Sequence, residues 1–171
     1  MNSNTSYVTK GGLITALSII FIYISTIIPT NRIFILAITS CLIPITVLIS
    51  NIKFAFIVYL CTSLLSLMLV GLKSQVILYI IFFGLYGIVK YYIEILRKPL
   101  IEIILKFLFF NVSVILTFFV FKKLFINNLS IKIPIIYIIG IMEIVFLLYD
   151  YALTLFINYF NNHFRKILRK H

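Results

Sequence analysis

The sequence predicts an all-α integral membrane bundle of about six transmembrane helices with both termini in the cytoplasm, and three observations lead there. Of the 171 residues, 63% are hydrophobic and 11% are charged, against about 45–50% and about 25% in a soluble domain. The mean hydropathy of +1.20 and the 16% aromatic content exclude a disordered chain, which needs low hydrophobicity and high charge. Polar breaks also recur at intervals close to one bilayer crossing. A hydrocarbon core of about 30 Å takes about 20 apolar residues per helix, so a chain of this length is filled by six crossings and short loops. We read 1–171 as a single transmembrane domain with no room for a separate catalytic or nucleotide-binding domain.

The first span is expected over 11–28, ended by Pro29, Thr30, Asn31 and Arg32, a run that favours a turn and does not easily continue a helix. The second, 33–49, carries Pro44, whose missing N–H should kink it at a point that a neighbouring helix must satisfy. The third, 54–70, follows the polar link Ser50, Asn51, Ile52 and Lys53. Gly71 to Gln75 then separate it from the fourth, 76–92, where Lys90 is expected to snorkel toward headgroups. The fifth, 100–120, follows Pro99, a good first-turn residue, and the sixth, 134–158, begins at Pro134 and leads into a basic tail over 161–171. Trp is absent, so Tyr must supply the interfacial belt, and Tyr7, Tyr91, Tyr92 and Tyr159 lie near predicted span ends.

The net charge of +11 would suggest nucleic acid in a soluble protein. Here the charges fall between apolar runs, so they read as topology signals and contacts to anionic lipid headgroups, with no nucleic-acid partner. With six spans, one side collects Lys10, Lys53, Lys90, Arg97, Lys98, Lys106, Arg165, Lys166, Arg169 and Lys170. The other holds Arg32, Lys73, Lys122, Lys123 and Lys132. Ten basic residues against five put both termini in the cytoplasm by the positive-inside rule. The first apolar run follows one Lys as a signal peptide would, but no small-residue cleavage site follows it, and it is expected to be retained.

The chemistry of membrane-embedded enzymes is missing. His163 and His171 both lie in the tail, so a His-ligated haem or an H-E-x-x-H zinc site within the membrane is excluded. There is no Gly-rich phosphate loop and no paired Asp-rich motif for metal-assisted phosphoryl transfer. Cys41 and Cys61 lie inside predicted spans without metal-ligand spacing and read as packing residues. The expectation is a protein that is not an enzyme and carries neither cofactor nor metal.

What remains is polar patterning within the spans. In the sixth, Gly140, Glu143, Asp150 and Thr154 follow steps of three, seven and four and form one stripe, interrupted by Leu147. At 1.5 Å per residue from Pro134, Glu143 lies about 13 Å into the core and Asp150 about 24 Å. A carboxylate at mid-depth must be protonated, hydrogen-bonded or paired, which makes Glu143 either a ligand or proton site or an interhelical tie. The fifth span offers Glu102 and Lys106 as an i,i+4 ion pair, with Ser113 and Thr117 on the same side. Asn111, on the opposite side, matches the depth of Glu143, which gives the two a hydrogen bond or a shared ligand site. Arg32, in the turn after the first span, reads as a headgroup anchor or as a holder of an anionic group at a pocket mouth. Tyr59, Ser63 and Ser66 mark a packing face on the third span. Gly12 and Ala16 have the small-x-x-x-small spacing that lets two helix backbones approach closely.

The stretch Thr9-Lys10-Gly11-Gly12-Leu13-Ile14-Thr15-Ala16-Leu17, on a six-span chain of this length, resembles the start of the first helix in the substrate-binding S components of energy-coupling factor (ECF) transporters. In that family the motif is usually Ala-x-x-x-Ala; here Gly12 replaces the first Ala and keeps the small size. The resemblance covers most of the chain in layout and this motif in residues. It implies a multi-pass protein of the cell membrane that captures a vitamin-like molecule or metal ion outside the cell. It also implies that Gly12 and Ala16 dock against a transmembrane coupling subunit, which works with two ATPases. Substrate-binding residues vary within the family and are not carried over. The alternative of a different class is a membrane scaffold or assembly subunit, similar in size to rod-shape-determining membrane subunits, without a small-molecule ligand.

A reporter fused after His171 tests the charge-derived topology. It should be active only in its cytoplasmic form, and an exported reporter would exclude an even number of spans with the amino terminus inside.

Overall fold

The computed structural model describes residues 3–124 and 135–168, with side chains over 7–124 and 139–162. Among the described residues every regular element is a helix. The chain runs through α1 (Ser3–Ile27), α2 (Arg32–Ile49), α3 (Ile52–Leu69), α4 (Ser74–Leu78), a π-helical turn (Tyr79–Phe83), α5 (Gly84–Ile95), α6 (Pro99–Leu124) and α7 (Ile135–Leu168). Together α4, the π turn and α5 form one continuous span, Ser74–Ile95. Six helices are thereby long and apolar enough to cross a membrane, and the chain is an all-α membrane protein. The expected start at Pro134 and the tail end over 169–171 lie outside the described residues, as do the side chains of 163–168. The chain divides into two compact units, Met1–Arg97 and Lys98–His171.

The breaks fall where backbone chemistry demands them. Pro29 follows the last backbone bond of the first helix, Ile28 N–H to Ile24 O at 3.0 Å. The carbonyl of Asn31 then opens α2 by accepting from Ile35 N–H at 3.1 Å, and that of Asn51 opens α3 by accepting from Ala55 at 3.0 Å. Gly71, at φ 82°, makes the left-handed turn after α3. Pro99 occupies the first helical position of α6, where its missing N–H has no bond to lose, and Lys98 O accepts from Glu102 N–H at 2.9 Å. Several helices run past the apolar stretch. Helix α6, the fifth span, reaches Leu124 through the exposed Lys122 and Lys123, long side chains suited to the polar end of a membrane helix.

The first unit has an interior rich in hydroxyls. Ser18, Thr39 and Thr46 are buried and donate to carbonyls four residues back, those of Ile14, Ile35 and Leu42, at 2.8, 2.8 and 2.9 Å. Ser66 donates to Ser63 O at 3.0 Å. Hydroxyls that return to their own helix backbone can be buried in a region without water. The packing face expected on α3 is buried in the observed structure: Tyr59, Ser63 and Ser66 all lie inside, with Thr62 beside them. Thr62 Oγ1, Ser63 Oγ and the Tyr79 hydroxyl make no hydrogen bond, although Tyr79 lies beside Thr62.

Two glycines let the fourth span close against its neighbours. A Cβ on Gly84 would stand 2.7 and 2.8 Å from ring atoms of Tyr59, and one on Gly87 would stand 2.8 Å from Cδ of Pro44. The Tyr59 ring therefore lies over Gly84, and the Pro44 ring of α2 lies over Gly87. Reaching across this contact, the Tyr59 hydroxyl donates to Ile80 O at 2.9 Å, within the π turn whose wider backbone ring displaces carbonyls from the α-helical ladder.

Adding one methyl at either seat should be costly. Gly84→Ala and Gly87→Ala are each expected to destabilise by about 1–3 kcal/mol through overpacking, whereas Gly12→Ala, whose Cβ meets nothing within 4 Å, should be neutral or slightly stabilising. Thermal unfolding in detergent, followed by circular dichroism, checks the order; equal effects at all three positions would contradict the packing described.

Candidate functional site

On α1 the buried residues Ile14, Ser18, Ile22 and Ser25 recur at steps of four, four and three and turn one face inward. Gly11 belongs to the inward side: its Cβ position lies 3.3 Å from Val58 on α3. Gly12 and Ala16 lie on the other side and are exposed, in a patch with Leu13, Ile20 and Tyr23, and nothing comes within 4 Å of a Cβ built on Gly12. The first unit therefore leaves the small pair unused, although adjacent Gly11 is taken up in packing.

Arg32, in the same unit, is exposed at the head of α2. Lys90 differs from its expected snorkelling position. It is 1% exposed, its Nζ lies 3.1 Å from Oε1 of Glu94 one turn on, and it stands 5.9 Å over the centroid of the buried Tyr86 ring. The ion pair reaches the surface through the more exposed Glu94, which is why the ammonium itself can remain covered.

The second unit is organised by contacts between α6 and α7. Phe110 and Phe146 stack with centroids 4.5 Å apart, and Phe107 meets Phe146 edge-on at 6.1 Å. One turn along from these rings, Lys106 Nζ donates to Asp150 Oδ2 at 2.9 Å, with the two side chains only 12% and 16% exposed. Thr154 Oγ1 donates to Asp150 O at 2.8 Å. Lys106 thus pairs across helices and not with Glu102 on its own helix, as its i,i+4 spacing suggested. A half-desolvated pair between helices gains more from Coulomb attraction than an interfacial one on a single helix. Matching depth could have identified this partner, since Lys106 lies about 10 Å from the start of α6 at Pro99 and Asp150 about 23 Å from the start of α7 at Ile135, on a helix running the other way.

Asn111 and Glu143 are both half-buried. Asn111 Nδ2 donates to Phe107 O, four residues back on its own helix, at 3.0 Å, and among the described residues no hydrogen bond joins it to Glu143. Gly140, above Glu143 on the stripe, is exposed with open space around it. A cavity of about 240 Å³ opens elsewhere in this unit, where Glu102, Lys106 and Asp150 meet Pro99, Phe107 and Phe146. Asn111 and Glu143 do not line it. No group of three or more His, Cys, Asp or Glu side chains among the described residues is placed to hold a metal ion.

Comparison with protein-family models, with curated proteins and with solved structures returns no match.

Proposed function

We propose that this chain is the substrate-binding S component of an ECF-type transporter in the cell membrane, with both termini cytoplasmic. It captures a vitamin-like molecule or metal ion outside the cell and depends on a coupling subunit and two ATPases for the power stroke. The observation that carries the reading is the open Gly12–Ala16 face of α1. Small residues at this spacing permit close backbone approach, and the first unit packs α1 through Gly11 and the buried Ser18 face, leaving this side unoccupied. Within the first unit Arg32, exposed at the head of α2, is assigned to an anionic group, and within the second the half-buried Asn111 and Glu143 are assigned to hydrogen bonds.

The test is coexpression with a coupling subunit and its ATPases, followed by copurification. Gly12→Leu and Ala16→Leu should abolish recovery of the complex while each variant stays monodisperse and helical, because the new side chains enter open space in the isolated chain. Undiminished recovery with both variants would remove the support for coupling and favour a scaffold without a transported ligand.

A further inference from the structure

We propose that the cavity between α6 and α7 binds the primary ammonium group of a small amine, with Glu102 as its carboxylate partner. This site shares no residue with Arg32, Asn111, Glu143 or the Gly12–Ala16 face, and it stands whether or not the chain couples to ATPases.

The cavity holds three charged side chains, and two of them are already matched. Lys106 and Asp150 neutralise each other at 2.9 Å. Glu102 also lines the cavity, is half-buried, and makes no side-chain hydrogen bond or ion pair with another described residue. With all three ionised the local sum is −1. A carboxylate in a partly dehydrated, mainly apolar cleft is costly until a counter-charge meets it.

The surroundings select the kind of counter-charge. An anion would have to take Lys106 from Asp150 and would leave two carboxylates without a cation. A hard divalent ion requires six or more oxygens for calcium, or an octahedral shell for magnesium, and the cavity offers carboxylates only from Glu102 and the already paired Asp150. A primary ammonium needs one charged acceptor and carries its own hydrocarbon stem. Pro99, Ile103 and Leu147, with the rings of Phe107 and Phe146, supply apolar wall for that stem. About 240 Å³ is far more than one water requires. Glu102 lies three residues from Pro99, about 5 Å from the start of α6, and the end of a membrane helix is where water and headgroups both meet it. The same ammonium chemistry is therefore available from a free amine in water or from the headgroup of an aminophospholipid.

The test uses the full chain in two arms. In nanodiscs of pure phosphatidylcholine, equilibrium dialysis with radiolabelled ethanolamine should show saturable binding that methylammonium displaces and acetate does not. In detergent containing equal phosphatidylethanolamine and phosphatidylcholine, native mass spectrometry should show preferential retention of phosphatidylethanolamine. Binding in the first arm identifies a free amine, and retention in the second identifies the lipid headgroup. In either arm Glu102→Gln should weaken binding about tenfold or more, as loss of a charge-assisted hydrogen bond requires, with unchanged helicity and monodispersity. Binding in neither arm, displacement by acetate, or binding that Glu102→Gln leaves intact would overturn the proposal. If Glu102→Gln failed to fold, Glu102→Asp would replace it, retaining the charge on a shorter stem and weakening binding by a smaller factor.

Discussion

Inside the hydrocarbon no water is present to satisfy a polar group, so a hydroxyl, displaced carbonyl or charge left unanswered there is costly, and the chain answers many of them itself, with Thr62, Ser63 and Tyr79 among the exceptions. Most of the architecture follows from that constraint. In the first unit the buried Ser18, Thr39 and Thr46 side chains return to carbonyls of their own helices, which makes a polar interior compatible with a membrane. The π turn at Tyr79–Phe83 displaces carbonyls that an α-helix would have paired, and the hydroxyl of Tyr59 arrives from α3 to take that of Ile80. In the second unit the same requirement operates on full charges, and Lys106 and Asp150 satisfy each other between α6 and α7.

Lipid also removes the usual reason for helices to associate, because a Leu gains little by leaving acyl chains for another Leu. Close contact has to come from shape. Gly84 and Gly87 give the Tyr59 and Pro44 rings seats that no larger residue would leave open. The proline that weakens the backbone ladder of α2 is thereby made part of a tight contact. Gly12 and Ala16 have the same small size without such a neighbour within the first unit.

The six spans could be read from the sequence because composition and polar breaks report the bilayer directly, and six helices long and apolar enough to cross a membrane overlap them, several running a few residues further at an end. The polar stripe on α7 was legible through helical periodicity. The contacts that give it meaning were not. Local spacing offered Glu102 to Lys106, and only comparison of depths on antiparallel helices points to Asp150. The burial of Lys90 depends on Tyr86 and Glu94 covering it, a local arrangement that hydropathy does not encode. The π turn has no sequence signature of its own, and the Tyr59 bond to Ile80 O and the Tyr59 ring over Gly84 that accompany it both require the third and fourth spans to be packed together.

Self-satisfaction of charge within the spans is tested most directly by a double-mutant cycle at Lys106 and Asp150, read as unfolding free energy in mixed micelles. Lys106→Met alone removes the ammonium that faces Asp150 at 2.9 Å and should destabilise by about 3 kcal/mol, in the range for breaking a buried ion pair on one side. The double variant, Lys106→Met with Asp150→Leu, should recover to within about 1 kcal/mol of the starting protein, because it removes both charges and leaves apolar side chains in their place. Independent, additive losses from the two substitutions would contradict the account, since they would mean that the 2.9 Å contact carries no coupling between α6 and α7.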